Sequence, residues 1–173
     1  MKFQPHSDQA KFNKPYELKP TVIPANMIMV VDTREQRPLF TKLPKGLTIV
    51  RNTLTDGDYS IVGHESRFVI ERKFLGDLYP FCSSERDRTI AKMKKLLAIT
   101  NSGGWVSLVI EAKESDAYKY QDWTRVSPEC VRGALISFSL RYKVHVYFSG
   151  NRENSARYIL DHACKFYNII HEV

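Results

Sequence analysis

Two short segments of this chain concentrate the side chains that could carry out chemistry. Residues 57–59, Gly-Asp-Tyr, form the first, and the second contains Glu71 and Lys73, with Asp77 four residues further on. Carboxylates are the ligands that hard divalent cations prefer, and a bound cation can activate water for attack on a phosphodiester. The residue types therefore predict a metal-assisted phosphodiester hydrolase.

The residues around these groups have the alternating pattern of a β-hairpin. Strands are predicted over residues 59–62 and 67–70, joined by a short polar turn. Because successive side chains of a strand point to opposite faces, Glu71 and Lys73 are expected on one face and the arginine between them on the other. If the hairpin closes in simple register, Asp58 lies near Glu71.

Two further acids follow an apolar run over residues 27–31, which is typical of a strand buried on both faces. Asp32 and Glu35 come at its carboxyl end, where an ionised carboxylate needs a cation or hydrogen bonds to offset its burial. Asp32 is therefore a candidate metal ligand. Asp32 could instead cap the following turn, and Asp77 could instead cap a helix; both alternatives stay open.

A basic helix is predicted over residues 84–100, because Ile90, Met93 and Leu97 recur at helical spacing. Its basic residues are Arg86, Arg88, Lys92, Lys94 and Lys95. A charged helical face is ordinarily only solvated. Here the helix directly follows the candidate metal site, and this position favours contact of the helix with phosphates.

The remaining elements complete an α/β pattern. Further strands are predicted over residues 47–50, 105–111 and 144–148, and further helices from Ser127 and over residues 153–167. One helical turn is predicted over residues 74–79, with a break near Pro80. This order predicts an α/β domain with a mixed central sheet flanked by helices.

An aromatic segment over residues 112–126 includes Tyr118, Tyr120 and Trp123 beside Lys119. Aromatic rings interleaved with lysine can stack on unpaired bases. The same rings can instead form a lid, contact another protein or pack into the core. The sequence leaves these alternatives open.

The composition favours a polyanionic partner. A net charge of +7 and a pI near 9.3 suit nucleic acid most simply, with an acidic membrane surface as the second choice. Cys82, Cys130 and Cys164 are an odd number without metal-ligand spacing, which argues against a disulfide framework and a zinc site.

Length and hydropathy predict one domain over residues 27–173, preceded by an extended arm over residues 1–26. No apolar run reaches the ~20 residues of a membrane span, and the first residues lack the pattern of a signal peptide. The predicted location is intracellular, cytoplasmic in a prokaryote or virus and nuclear in a eukaryote.

The motifs together resemble those of a known family. Gly57-Asp58, then Glu71-Arg72-Lys73 and, after three residues, Asp77 are similar to the signature of the nuclease domain of the XPF family of structure-specific DNA endonucleases. Residues 31–35, VDTRE, are similar to its VDxRE element, and the resemblance covers residues 27–170. It implies a restriction-endonuclease-like fold and Mg²⁺-dependent DNA cleavage, with Mn²⁺ able to substitute, at branched, flap or fork DNA in repair or recombination.

The resemblance also implies roles for individual residues. The implied metal ligands are Asp32, Asp58 and Glu71. The implied catalytic groups are Asp58, Glu71, Arg72, Lys73 and Asp77, with Glu35 as a further acid of the cluster. The expected DNA contacts are Arg34, Arg88, Lys92 and Lys95. Lys73 would orient or activate the attacking water or stabilise the pentavalent phosphate, and Arg72 would contact phosphate or fix the acids.

Two departures from the family pattern are visible. The 173 residues hold no helix-hairpin-helix or helicase region, on which structure selectivity often depends, so a preference for forks or flaps stays open. Lys92 stands where the family helix carries a glutamine, one turn after an arginine matched by Arg88. Pairing through the later helices, as a homodimer or heterodimer, is a further expectation.

A catalytically silent DNA-binding or scaffolding module of the same fold is the alternative function. Decay to such a module would be expected to remove carboxylates or the lysine. All of them are present in this sequence, which favours the enzyme.

Overall fold

A computed structural model of the protein describes residues 19–171. The first 18 residues of the predicted arm, residues 1–26, lie outside the described residues. The division of the chain into arm and domain stays a prediction. Residues 19–26 run beside the last helix, where Thr21 donates a hydrogen bond to Asp161 and Ile23 packs against the core.

Six strands and five helices make up the described part of the chain. The strands are β1 (Ile28–Asp32), β2 (Thr48–Asn52), β3 (Tyr59–Ile61), β4 (Phe68–Phe74), β5 (Trp105–Glu111) and β6 (His145–Phe148). The helices are α1 (Leu75–Cys82), α2 (Arg86–Asn101), α3 (Glu114–Ala117), α4 (Pro128–Tyr142) and α5 (Arg152–His171). Every strand and helix that the sequence predicts is present, and α3 is an addition.

The strands form one mixed sheet in the order β2-β1-β3-β4-β5-β6. The pairs β1–β2, β4–β5 and β5–β6 are parallel, whereas β3 is antiparallel to both of its neighbours. In the predicted hairpin, Tyr59 pairs with Ile70. The Asp58 amide donates to the carbonyl of Ile70 at 2.7 Å, so the pairing extends one residue beyond β3 towards the carboxyl end of β4.

Helices cover both faces of the sheet. On one face, α1, α2 and α4 bury a core around Val69, Leu108 and Ile110. On the other face, α5 packs against a second core that includes Val31 and Phe68. Since β4 and β5 are covered on both sides, their apolar runs follow from burial rather than from alternation. Within residues 19–171, no helix is long and apolar enough to cross a membrane.

Helix α4 begins at its N-cap, Ser127, as the sequence predicts. Ser127 caps the helix, since its hydroxyl oxygen accepts a hydrogen bond from the Cys130 amide at 3.2 Å. Pro128 occupies the first helical position, where the missing N–H has no intrahelical partner to lose. At the other end, Lys143 adopts a left-handed conformation with φ of 55° and closes the helix.

The predicted break near Pro80 is wrong, because α1 continues to Cys82. Proline removes one amide donor, but the neighbouring Tyr79 and Phe81 are buried and hold the turn in place. The carbonyl of Pro80 also accepts hydrogen bonds from the amides of Ser83 and Glu85. Packing and these turn hydrogen bonds therefore outweigh the loss of one donor.

Position 57 requires glycine because its turn lies directly against β4. Its φ is +81°, and a Cβ at this position would lie 2.7 Å from Cγ1 of Val69 and 2.9 Å from the carbonyl oxygen of Ile70. A side chain would therefore collide with packed atoms of β4 as well as strain the backbone. The absence of a side chain lets the turn place Asp58 directly beside β4.

We expect Gly57→Ala to destabilise the protein more than Gly63→Ala. Both glycines have positive φ, +81° and +79°, but Gly63 has no atom within 4 Å of a Cβ. Each variant should lose about 1 kcal/mol for the left-handed conformation, and Gly57→Ala roughly 1–3 kcal/mol more for overpacking. Urea unfolding of both variants measures the difference, and equal losses would show that the turn does not press on β4.

Candidate active site

A cleft of ≈ 570 Å³ opens at the carboxyl ends of β1 and β4, beside α1 and α2. All the predicted site residues except Arg72 and Glu35 line it. Its acidic side chains are Asp32, Asp56, Asp58, Glu71, Asp77 and Glu85. Its basic side chains are Arg34, Lys73, Arg88, Lys92 and Lys95. The structure thus brings nearly the whole predicted set together, and the roles of these residues stay predictions.

Main-chain hydrogen bonds between three strands bring the acids to one place. The Asp32 amide donates to the Asp58 carbonyl at 2.9 Å, and the Asp58 amide donates to the Ile70 carbonyl at 2.7 Å. Asp32, Asp58 and Glu71 therefore lie at adjacent ladder positions. Side-chain alternation then turns all three acids towards α1 and α2.

Glu71 is buried between two lysines. The residue is 2% exposed, Lys73 Nζ donates to its Oε1 at 2.6 Å, and Lys92 Nζ donates to its Oε2. Burial alone would raise the pKa of Glu71, but the charges of Lys73 and Lys92 outweigh it and the pKa is lowered. The carboxylate is consequently ionised although it is removed from water.

Lys73 is held in its charged form. Burial acts to lower the pKa of its ammonium group, but Glu71, together with Asp58 and Asp77, raises that pKa above its ordinary value. A lysine that keeps its proton can donate hydrogen bonds and place positive charge, but it does not accept a proton from water. Asp77 itself is exposed in the first turn of α1.

Asp58 is compensated less completely than Glu71. Its Oδ2 accepts a hydrogen bond from the Arg72 amide at 2.7 Å, and within residues 19–171 its Oδ1 has no hydrogen-bond donor. Burial and the charge of Glu71 raise the pKa of Asp58 to about 7. This carboxyl is therefore the group in the cleft whose charge most needs a cation.

Both oxygens of Asp32 are already engaged. Oδ1 accepts from the Arg34 amide at 2.7 Å and from Arg34 Nε at 2.8 Å, and Oδ2 accepts from Arg34 Nη2 at 3.0 Å and from the Leu54 amide at 2.7 Å. These bonds, above all those from the Arg34 side chain, lower the pKa of Asp32 to about 2. The hydrogen bond from the Arg34 amide is the turn cap that the sequence allows as the alternative role for Asp32. Arg34, expected to bind DNA, neutralises Asp32 at the edge of the cleft.

The donor set suits a cation held by few protein ligands. Among residues 19–171, no three Asp, Glu, His or Cys side chains converge in the geometry of a metal site. Within the described part of the chain, Asp58 has an oxygen without a donor, and Asp32 and Glu71 keep lone pairs beside their hydrogen bonds, so the predicted ligand set of Asp32, Asp58 and Glu71 stays a prediction. Mg²⁺ is commonly bound by one or two carboxylates while keeping several waters, so a hard cation fits these residues.

Arg72 lies on the opposite face of β4, as strand alternation predicts. Its side chain donates to Glu111 Oε2, with Nε at 2.9 Å, to Glu35 Oε2 at 3.3 Å and to the Arg37 carbonyl at 2.8 Å. The residue is 4% exposed. The Arg72 side chain therefore fixes two acids on this face, Glu35 and Glu111, and its main-chain amide fixes Asp58; its expected contact with phosphate stays a prediction. Glu35 is also removed from the cleft by this pairing.

The sequence does not indicate Glu111 as a partner of Arg72. Glu111 is brought near Arg72 by the parallel register of β4 and β5, which pairs Phe74 with Glu111. That register brings a carboxylate at the end of β5 beside the carboxyl end of β4. The pairing is invisible before the sheet order is known.

The basic face of α2 points into the cleft. Arg88, Lys92 and Lys95 are spaced by four and three residues, which places them on one side of a helix. The buried side of α2 carries Met93 and Leu96 instead. The predicted basic residues are thus positioned at the mouth of the acidic site.

A model of one protein family, the ERCC4 domain, matches residues 31–161 of the chain. The chain belongs to the ERCC4 domain family. The structure also resembles XPF from Aeropyrum pernix, with a TM-score of 0.62 and 19% identity over 83% of this chain and 67% of that one. A structure of the same protein in complex with DNA matches with a TM-score of 0.57 and 19% identity, over 81% and 64% of the two chains.

These similarities confirm the resemblance to the XPF family and the predicted α/β fold with its mixed sheet. The chain spans about two thirds of the length of the Aeropyrum pernix structures. Among curated proteins, none matches it.

We expect Asp58→Asn to stabilise the metal-free protein more at pH 8 than at pH 5. The folded-state pKa of about 7 lies above the ordinary 3.8, so the stabilisation that Asp58 provides when protonated is lost as pH rises towards 7. Asparagine does not titrate, and the variant should gain up to about 3 kcal/mol relative to the native chain between pH 5 and 7. Urea unfolding in EDTA measures this.

Asp32→Asn is the matched control. Since the pKa of Asp32 is lowered to about 2, its ionised form stabilises the fold at both pH values, and the variant should lose stability equally at pH 5 and pH 8. A pH-independent difference for Asp58→Asn would contradict the raised pKa of this half-buried carboxyl.

Proposed function

We propose that this chain is a metal-dependent DNA endonuclease that hydrolyses phosphodiester bonds at branched, flap or fork DNA, in repair or recombination. The proposed cofactor is Mg²⁺, with Mn²⁺ able to replace it. One observation carries the proposal: in an ERCC4-family fold, a single cleft holds Asp58, Glu71 and Lys73 beside a basic helix face.

The charge distribution supports DNA as the partner. The chain carries a net charge of +7, and Arg88, Lys92 and Lys95 present three cations at the cleft. Cations spaced along a helix can follow the phosphate backbone of a duplex without reading its bases. One of the similar structures was solved with DNA, which agrees with this assignment.

The residues of the cleft divide the chemistry between them. Asp58 and Glu71, with Asp32 as the third predicted ligand, would hold the Mg²⁺, which when bound supplies a Lewis acid and lowers the pKa of coordinated water. Lys73, kept protonated, would orient the water or stabilise charge on the phosphate by donating hydrogen bonds. The main-chain amide of Arg72 would hold Asp58, and the Arg72 side chain would fix β4 from the opposite face through Glu35 and Glu111.

A catalytically silent DNA-binding module is the second candidate. It is favoured by the engagement of Glu71 with two lysines and of Asp32 with Arg34. Acids that are already paired with lysine or arginine side chains would leave a site that binds phosphate without holding a metal ion. The presence of a buried Glu71 and of an incompletely compensated Asp58 supports the enzyme, because neither is needed for contact with a phosphate backbone.

Pairing with a second chain is a further part of the proposal. Ile136 and Leu140 are exposed on α4, and Ile169 is exposed on α5. These apolar side chains on the last helices would suit a homodimer or heterodimer. A monomeric mass at micromolar concentration in sedimentation would argue against a homodimer.

We expect incision of labelled flap or fork DNA in Mg²⁺, lost in Asp58→Asn and Lys73→Met. Removal of one charged group that stabilises the transition state costs roughly 10²–10³-fold in rate. Single-turnover cleavage of flap, fork, duplex and single-stranded DNA measures the loss, and metal omission should abolish incision.

Lys94→Met serves as the control, since Lys94 is exposed on α2 and does not line the cleft. This variant should cleave within about twofold of the native rate. Tight DNA binding by the native chain without incision in either Mg²⁺ or Mn²⁺ would instead establish the silent module.

A further inference from the structure

Two ammonium groups hold the two oxygens of one buried carboxylate. Lys73 comes from β4 and reaches Glu71 Oε1 at 2.6 Å, whereas Lys92 comes from α2 and reaches Oε2. One lysine would neutralise the single charge of Glu71. The second brings a further positive charge from a different element of the fold, and the charges of both lysines also act to lower the pKa of the neighbouring Asp58.

Lys92 is placed to contact more than Glu71. Its side chain is 29% exposed, whereas that of Glu71 is 3% exposed. The ammonium group thus lies between the buried acid and the opening of the cleft. A phosphate entering the cleft would reach Lys92 while Lys92 still holds the carboxylate, because an ammonium group has three donors.

The remaining acids leave room for one ion. Both Asp32 oxygens are engaged by Arg34 and Leu54, and within residues 19–171 no group of three ligating side chains converges. Among the described residues, Asp58 Oδ1 has no donor, whereas Lys73 and Lys92 each hold one oxygen of Glu71. A first ion could bind Asp58 Oδ1 and share Glu71 Oε1 with Lys73, because a carboxylate oxygen has more than one lone pair. A second ion at Glu71 Oε2 would meet the ammonium group of Lys92 and the charge of the first ion, and would have to displace Lys92.

We infer that Lys92 takes the place of a second metal ion in this site. Its ammonium group occupies Glu71 Oε2, restricts the cleft to one divalent cation, and supplies the second positive charge to the phosphate. Lys92 is then a catalytic residue rather than one of several backbone contacts. This inference rests on the proposed function, but its main test does not require cleavage.

The test measures Mn²⁺ binding to the DNA-free protein by electron paramagnetic resonance. The native chain should bind one Mn²⁺. Lys92→Gln, which frees Glu71 Oε2, should bind a second ion or bind the first roughly tenfold more tightly, because a nearby positive charge is gone. Lys92→Arg should keep the native stoichiometry and affinity, since it keeps the charge.

Lys95→Gln separates the contact from the overall charge of the cleft. Lys95 lines the same cleft from the same helix, and its removal should change Mn²⁺ affinity less than threefold. Circular dichroism confirms that each variant folds. Any of three results would overturn the inference. The native chain could bind two Mn²⁺ ions with comparable affinity, Lys92→Gln and Lys95→Gln could change Mn²⁺ binding equally, or no variant could bind Mn²⁺.

Cleavage provides the second readout. The rate of the native chain should depend on Mg²⁺ with a Hill coefficient near one, and that of Lys92→Gln with a coefficient approaching two and a lower rate at limiting Mg²⁺. A second-order dependence in the native chain would also overturn the inference. If no variant cleaves DNA while the Mn²⁺ results are as expected, the proposed endonuclease and the catalytic role of Lys92 fail, and only the restriction of the cleft to one divalent cation stands.

Discussion

The need to compensate poorly solvated carboxylates governs this site. Three acids at adjacent positions of the sheet meet that need in three ways. Asp32 is saturated by Arg34 and the Leu54 amide, Glu71 is enclosed by two lysines, and Asp58 is left with one amide and a pKa of about 7. Since an uncompensated charge in a poorly solvated place is costly, a cation in the cleft would be stabilised most beside Asp58.

Strand β4 serves two separate electrostatic centres. On one face it presents Glu71 and Lys73 to the cleft, and on the other it presents Arg72 to Glu35 and Glu111. The second centre joins the ends of β4 and β5 to the loop after β1, and it has no access to the cleft. Breaking such a buried pair would leave an unpaired charge, so Arg72 fixes the strand that positions the acids. Its amide on Asp58 Oδ2 links the two centres.

Local periodicity explains what the sequence could predict. Alternation along β4 separates Arg72 from its neighbours, and the spacing of Arg88, Lys92 and Lys95 defines one face of α2. Sequence reasoning could not predict contacts that depend on how separate elements pack. The Lys92–Glu71 pair needs the docking of α2 on the sheet, the saturation of Asp32 needs the amide of Leu54, and the continuation of α1 through Pro80 needs the burial of its neighbours.

The charge of the cleft differs from that of the whole chain. The protein carries a net charge of +7, yet six acidic and five basic side chains line the cleft. The positive surplus therefore lies outside it, where it can attract a polyanion at long range. A phosphate gains little at the centre of the cleft until a divalent cation offsets Asp58 and Glu71. In the proposed function, DNA and cation would each strengthen the binding of the other, because linkage between two sites is reciprocal. The acids that make the cleft unfavourable for DNA alone would thereby restrict productive binding to the metal-loaded protein.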